Sequence, residues 1–180
     1  MAPDSQFPGF WRGCLPVALL LLAGVVRADI PEEDNIKAGF VLNFAKYAEW
    51  PAAALNGGDL RVCGLGVQPL SGKLAQFQGR QAQGRGIQVR IPARPEEWRD
   101  CHVLFIPAAE QARVDAVLRA VSQAPVLTVS DSADFARSGG IIGMKLRVGR
   151  VRFDVNLAAA RRAGLNMSSQ LLKLADEVLQ

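Results

Sequence analysis

CHVLFIPAAEQARVDAVLRAVSQAPVLTVSD, running from Cys101 to Asp131, decides the fold. It opens on CHVLFIP and closes on PVLTVSD, two short runs that are apolar along almost their whole length. Strands of that kind are buried on both faces, which is the signature of a parallel sheet under helices rather than a half-exposed antiparallel one. Between them, Ala109 to Val121 places Val114, Val117, Leu118 and Val121 on one side of a helix. A strand, a helix and a strand in this order predict an α/β fold: three layers, with a mostly parallel sheet flanked by helices.

The same alternation extends upstream. DLRVCGLG (Asp59–Gly66) reads as a strand ending in glycines, followed by a helical stretch near Leu70 to Phe77. The Gly/Gln/Arg-rich segment Gln78 to Gly86 reads as a surface loop leading into the strand GIQVRI. Further back, Ile36 to Trp50 predicts a helix whose Ile36, Phe40, Phe44, Tyr47 and Trp50 share one arc, stopped by Pro51. Asn43 falls inside that arc, so its amide is expected to be buried and bonded to a neighbouring backbone.

Downstream, Asp134 to Arg137 reads as a short turn of helix before Gly139-Gly140. IIGMKLRVGRVRFDVN predicts a late antiparallel hairpin turned at Val148-Gly149, forming an edge of the sheet. Asn156 is placed to cap a helix through Arg162 that Gly164 ends. Asn166 is expected to cap the last helix, with Leu171, Leu172, Ala175 and Val178 on its buried face. No repeat and no linker interrupts this series, so residues 29–180 read as a single domain.

The first 28 residues read differently. Arg12 precedes the apolar run LPVALLLLAGVV (Leu15–Val26). At about a dozen residues the run is too short to span a bilayer as a helix and suits the core of a signal peptide. Val26-Arg27-Ala28 places cleavage between Ala28 and Asp29, so residues 1–28 are expected to be a signal peptide. Cleavage would leave two cysteines, Cys63 and Cys101, 38 positions apart. An even count in an exported chain favours a disulfide over two buried free thiols.

Composition narrows the function. Hydrophobic residues make up 49% and charged residues 21% of a 180-residue chain, a globular balance. The formal charge is +4, yet the longest basic run is Arg161-Arg162. No basic stripe is interleaved with aromatics, so nucleic acid is not an expected partner. Arg150, Arg152, Arg161 and Arg162 are candidates for contact with an acidic partner face, with ordinary solvated charge as the alternative.

A catalytic constellation is hard to assemble. His102 is the single histidine, and its neighbour Cys101 on a strand would point to the opposite face. A structural histidine at a strand start is the stronger reading. One histidine and two distant cysteines do not make a zinc site. Gly64-Leu65-Gly66 follows a strand, where such sheets bind ligands, but Pro69 occupies the place of the third glycine of a dinucleotide loop. Asp131 and Asp134 around Ser132 read as turn and cap carboxylates. No catalytic residue, metal or cofactor is therefore expected. The strand-end glycines leave a periplasmic small-molecule binding protein as the alternative to a protein-binding role.

Several segments together resemble the YfiR family: NIKAGFVLNFAKYAEWP (Asn35–Pro51), RVCGLG, CHVLFIP, PVLTVSD, FARSGGIIGM and above all GRVRFDVNLAAARRAGLNMSSQLLKLA (Gly149–Ala175). The resemblance implies a periplasmic repressor that docks on the periplasmic domain of an inner-membrane GGDEF diguanylate cyclase. It lowers cyclic di-GMP and biofilm formation. Release comes by sequestration on an outer-membrane lipoprotein or by reductive damage, and a homodimer is left open. By position, Cys63 and Cys101 match the family's disulfide pair. Some relatives carry a second pair around the late hairpin, and Met144 to Arg152 contains no cysteine.

Overall fold

The computed structural model describes residues 30–180 apart from Gly57. The expected signal peptide lies outside the described residues. The chain begins with α1 (Ile30–Tyr47), β1 (Ala48–Glu49), α2 (Ala52–Leu55) and β2 (Leu60–Gly64). Then come α3 (Pro69–Leu74), extended by a 3-10 turn through Phe77, β3 (Gln81–Ala82) and β4 (Arg85–Arg90). A 3-10 segment (Pro95–Asp100) leads to β5 (Val103–Ile106), and another (Ala108–Arg113) to α4 (Val114–Val121). The rest is β6 (Leu127–Ser130), β7 (Ile142–Arg147), β8 (Arg150–Asn156), α5 (Leu157–Arg162), β9 (Asn166–Met167), α6 (Ser169–Leu174) and β10 (Glu177–Leu179).

The main sheet, among the described residues, has eight strands in the order β10-β8-β7-β6-β5-β2-β4-β3. The ladders from β4 through β2, β5 and β6 to β7 are all parallel. Every residue of β5 and β6 is buried, as their apolar composition requires of strands covered on both faces. Alternation then divides the core in two. Val103, Phe105, Leu127 and Val129 face the cluster that contains α1, whereas Leu104 and Ile106 face Val114, Val117 and Val121 of α4. The architecture is the expected three-layer α/β sandwich.

Several local expectations are corrected. The deep face of α1 is Ala38, Val41, Leu42, Phe44 and Ala45, while Ile36 is 48% exposed. Small alanines let the helix lie close on the sheet; of the expected arc Phe44 and Trp50 are buried, Phe40 and Tyr47 pack against the core, and only Ile36 turns out to solvent. Asn43 is exposed, not a buried tie to a neighbour. The segment Gln78 to Gly86 is not all loop, because Gln81–Ala82 forms β3 and pairs with β4. Asn166 does not cap the last helix. It pairs with Glu49 in a separate two-stranded ladder, and Ser168 Oγ accepts the Leu171 N–H instead at 3.2 Å. Val178 lies in β10 rather than in that helix. The hairpin is not the sheet's edge, since β10 pairs in parallel outside β8.

Cys63 is the fourth residue of β2, and Cys101 stands two places before β5. The Gly139-Gly140 pair has a steric reason. A Cβ on Gly140 would lie 2.1 Å from the buried Phe135 ring, and Gly139 adopts φ +99°, which side chains rarely tolerate.

Candidate functional site

The β7–β8 hairpin is closed by two residues with positive φ, Val148 at 48° and Gly149 at 69°. That is a type I′ turn, the one whose twist matches the strands. The register pairs Met144 with Phe153, Lys145 with Arg152, Leu146 with Val151 and Arg147 with Arg150. Directly paired residues share a face, so the hairpin has an apolar side and a basic side.

At its base the apolar side belongs to the core. Phe153 meets Phe44 edge-on at 4.9 Å and Phe40 at 6.0 Å. Towards the tip it opens to solvent: Leu146 is 51% exposed, Val148 wholly exposed, and Ile36 of α1 lies along the same groove with Phe40 and Val151. The N-terminal end of that arc, Ile36 and Phe40, thus forms one wall of an open apolar strip.

The basic side carries four cations and two carboxylates. Lys145 Nζ sits 2.6 and 2.7 Å from the oxygens of buried Asp154 and 2.8 Å from Asp176. Burial works against the ammonium charge, but these two carboxylates outweigh it and raise the Lys145 pKa. Hydrogen bonding from Lys145 in turn lowers that of Asp176. Arg147 donates to the same Asp176 oxygen, Oδ2, at 3.2 Å. Arg150 and Arg152 form no ion pair among the described residues, and with Arg147, Val148 and Asp176 they line one groove.

The four arginines named from sequence are therefore not one patch. Arg150 and Arg152 stand together on the hairpin. Arg161 and Arg162 end α5, where cations favour the helix dipole, and Arg162 borders a different cavity. Sequence reasoning passed over Lys145, Arg147, Leu146 and Val148. Strict alternation in MKLRVGRVRF held the signal. Asp176 reaches the site only because β10 joins β8.

The other candidates settle into structural roles. The sulfurs of Cys63 and Cys101 are bonded, with Cα atoms 6.0 Å apart, inside the core cluster that holds Leu65, Trp98 and Leu104. His102 is buried and its Nδ1 accepts the Arg61 N–H at 2.9 Å, so Nε2 carries the proton toward Ala54 O at 3.1 Å. Burial, with help from the charges of Arg61 and Arg85, lowers its pKa and keeps the ring neutral. Asp131 Oδ1 accepts the Ala108 N–H at 2.7 Å, and Asp134 lies exposed in a turn. Beyond the strand-end glycines, a Cβ on Gly66 would lie 2.9 Å from a Glu110 carboxylate oxygen. An acidic group there is the opposite of a phosphate cradle.

A YfiR/HmsC-like family model matches residues 34–176. Two solved structures share the fold at 10% sequence identity. One is an ABC domain from Streptococcus pneumonia in complex with L-Trp, with TM-score 0.55, covering 79% of this chain and 60% of that one. The other is a conserved domain protein from Vibrio cholerae O1 biovar El Tor, with TM-score 0.53, covering 81% and 60%. The chain thus spans about 60% of the length of either structure. With most of its length matched by the family model, and with the α/β architecture described above, the chain belongs to the YfiR/HmsC-like family.

Proposed function

We propose that this protein is exported, loses residues 1–28, and acts in the periplasm as a binding regulator without catalysis. It docks on the periplasmic domain of an inner-membrane GGDEF diguanylate cyclase and holds the enzyme inactive, which limits cyclic di-GMP and biofilm. Capture by an outer-membrane lipoprotein, or reduction of the Cys63–Cys101 bond, releases the cyclase.

The observation that carries the docking surface is the hairpin end. Arg150 and Arg152 form no ion pair among the described residues and stand beside Leu146 and a fully exposed Val148. An apolar strip beside guanidinium groups that form no ion pair among the described residues suits an acidic, partly apolar partner face. Arg161 and Arg162 form a secondary patch at most, because α5 places them away from the hairpin groove.

Cellular cyclic di-GMP tests the reading. Deleting the gene should raise it several-fold, and only while the cyclase is present. An unchanged level in the deletion strain would remove the repressor role.

A further inference from the structure

Between α4 and α5, beside the starts of β6 and β7, lies a cavity of about 290 Å³. It is separate from the hairpin grooves. Its floor is aliphatic: Leu118, Val121, Val126, Ile141 and Ala159, all but Leu118 buried. Among the described residues no aromatic ring lines it. Its mouth carries two guanidinium groups from opposite walls, Arg119 of α4 and Arg162 of α5, and one carboxylate, Asp115. None of the three enters an ion pair among the described residues. The walls are fixed: Thr128 Oγ1 accepts the Ile141 N–H at 3.0 Å, and Asn156 holds Ala136 O at 2.8 Å.

We propose that this cavity binds a short aliphatic monocarboxylate. The alkyl chain lies on the floor, and the carboxylate is shared between Arg119 and Arg162. An aliphatic floor without rings favours an alkyl chain over a stacked aromatic ligand. Two planar guanidinium donors against a single acid leave the mouth net positive and match a carboxylate in geometry. At about 290 Å³ the space lies at the small end of ligand sites, so a short chain suits it better than a drug-sized ligand. Hexanoate is one such chain.

The test uses the purified, oxidised protein with methyl-labelled Ile, Leu and Val, titrated with hexanoate, hexanamide and hexylamine. Hexanoate should shift the methyls of Leu118, Val121, Val126 and Ile141 saturably, with a dissociation constant on the order of 1 mM. Hexanamide should bind about tenfold more weakly, and hexylamine should not shift those methyls. Arg119→Gln and Arg162→Gln should each weaken hexanoate by about tenfold while keeping a native methyl spectrum, and Lys46→Gln, on an exposed turn of α1 away from the cavity, should change nothing. The proposal is overturned if hexanoate gives no saturable shift there up to about 20 mM. Equal binding of the amide or the amine, or undiminished binding by the double Arg119→Gln, Arg162→Gln variant, overturns it too. The readout needs no partner protein, so its outcome stands apart from that of the docking reading.

Discussion

Arg147 and Arg150 stand directly opposite one another across the β7–β8 ladder, as the pair that closes the turn. The next pair on that face, Lys145 and Arg152, repeats the arrangement. Like charges in register destabilise a ladder, by roughly the 0.2–1 kcal/mol that opposite charges would contribute. The two carboxylates within reach, Asp154 and Asp176, are already engaged by Lys145 and Arg147. A hairpin selected for stability alone would alternate sign here. Retaining the repulsion makes sense when a partner supplies the missing acids.

Arg150→Glu should therefore stabilise the isolated protein by about 0.5–1 kcal/mol, by turning a repulsive cross-strand pair into an attractive one. Urea denaturation measures this. A lower midpoint than wild type contradicts the cross-strand account.

The tip shows the same trade. Val148 is β-branched, holds φ +48° and is fully exposed, a conformation that costs about 1–2 kcal/mol in a non-glycine residue. Val148→Asn restores the residue pair that type I′ turns prefer. The variant should gain about 1 kcal/mol in stability yet bind the cyclase domain more weakly. A variant no more stable than wild type, or one with undiminished binding, goes against it.

The Cys63–Cys101 bond closes a loop of 38 residues. In the chain-entropy model that contributes about 4 kcal/mol, a large part of the ~5–15 kcal/mol that holds a typical domain together. Cys63→Ala, Cys101→Ala and reduction of the wild type should each lower the denaturant midpoint sharply and raise cyclase output in cells. Variants that melt like the oxidised wild type and repress normally would show the bridge to be dispensable.

His102 gives the stability a pH dependence of fixed sign. Its folded pKa lies below the ordinary 6.5 because the buried ring resists charge. Above that pH both states are neutral and stability is full. As pH falls below 6.5 the unfolded chain takes a proton that the folded one refuses, so stability drops by up to about 1.4 kcal/mol per pH unit until the folded pKa is reached. The lowered carboxylates Glu97 and Asp176 act the same way at more acidic pH. Asp34, raised by burial, acts in the opposite sense above its ordinary 3.8. His102→Gln should be less stable throughout and should flatten the slope just below pH 6.5. An unchanged slope contradicts a neutral, buried ring.

Legibility in the sequence followed the strength of local signals. The buried runs CHVLFIP and PVLTVSD, the Val148-Gly149 turn and the Asn156 cap, whose Oδ1 accepts the Ala159 N–H at 2.7 Å, each carry their meaning within a few residues. The buried face of α1 did so only in part, with Phe44 on it as expected. Periodicity weighted the aromatics, and only the sheet's demand for close approach selects Ala38 and Ala45. The last element failed for a similar reason. Nothing local in Glu177–Leu179 announces a strand that forms by pairing with β8. The candidate site was half legible. Arg150 and Arg152 were visible as charges, but that they form no ion pair among the described residues depends on where the approach to β10 places Asp176, whose contact with Arg147 spans 29 residues.

The account turns on whether this hairpin end is what the partner grips. Calorimetric titration of the oxidised protein into the purified periplasmic domain of the membrane diguanylate cyclase from the same organism tests that directly. Wild type should bind with 1:1 stoichiometry within each complex, and the Arg150→Glu, Arg152→Glu double variant, equally well folded, should bind at least about tenfold more weakly. No binding by the oxidised wild type, or equal affinity for the double variant, would contradict it.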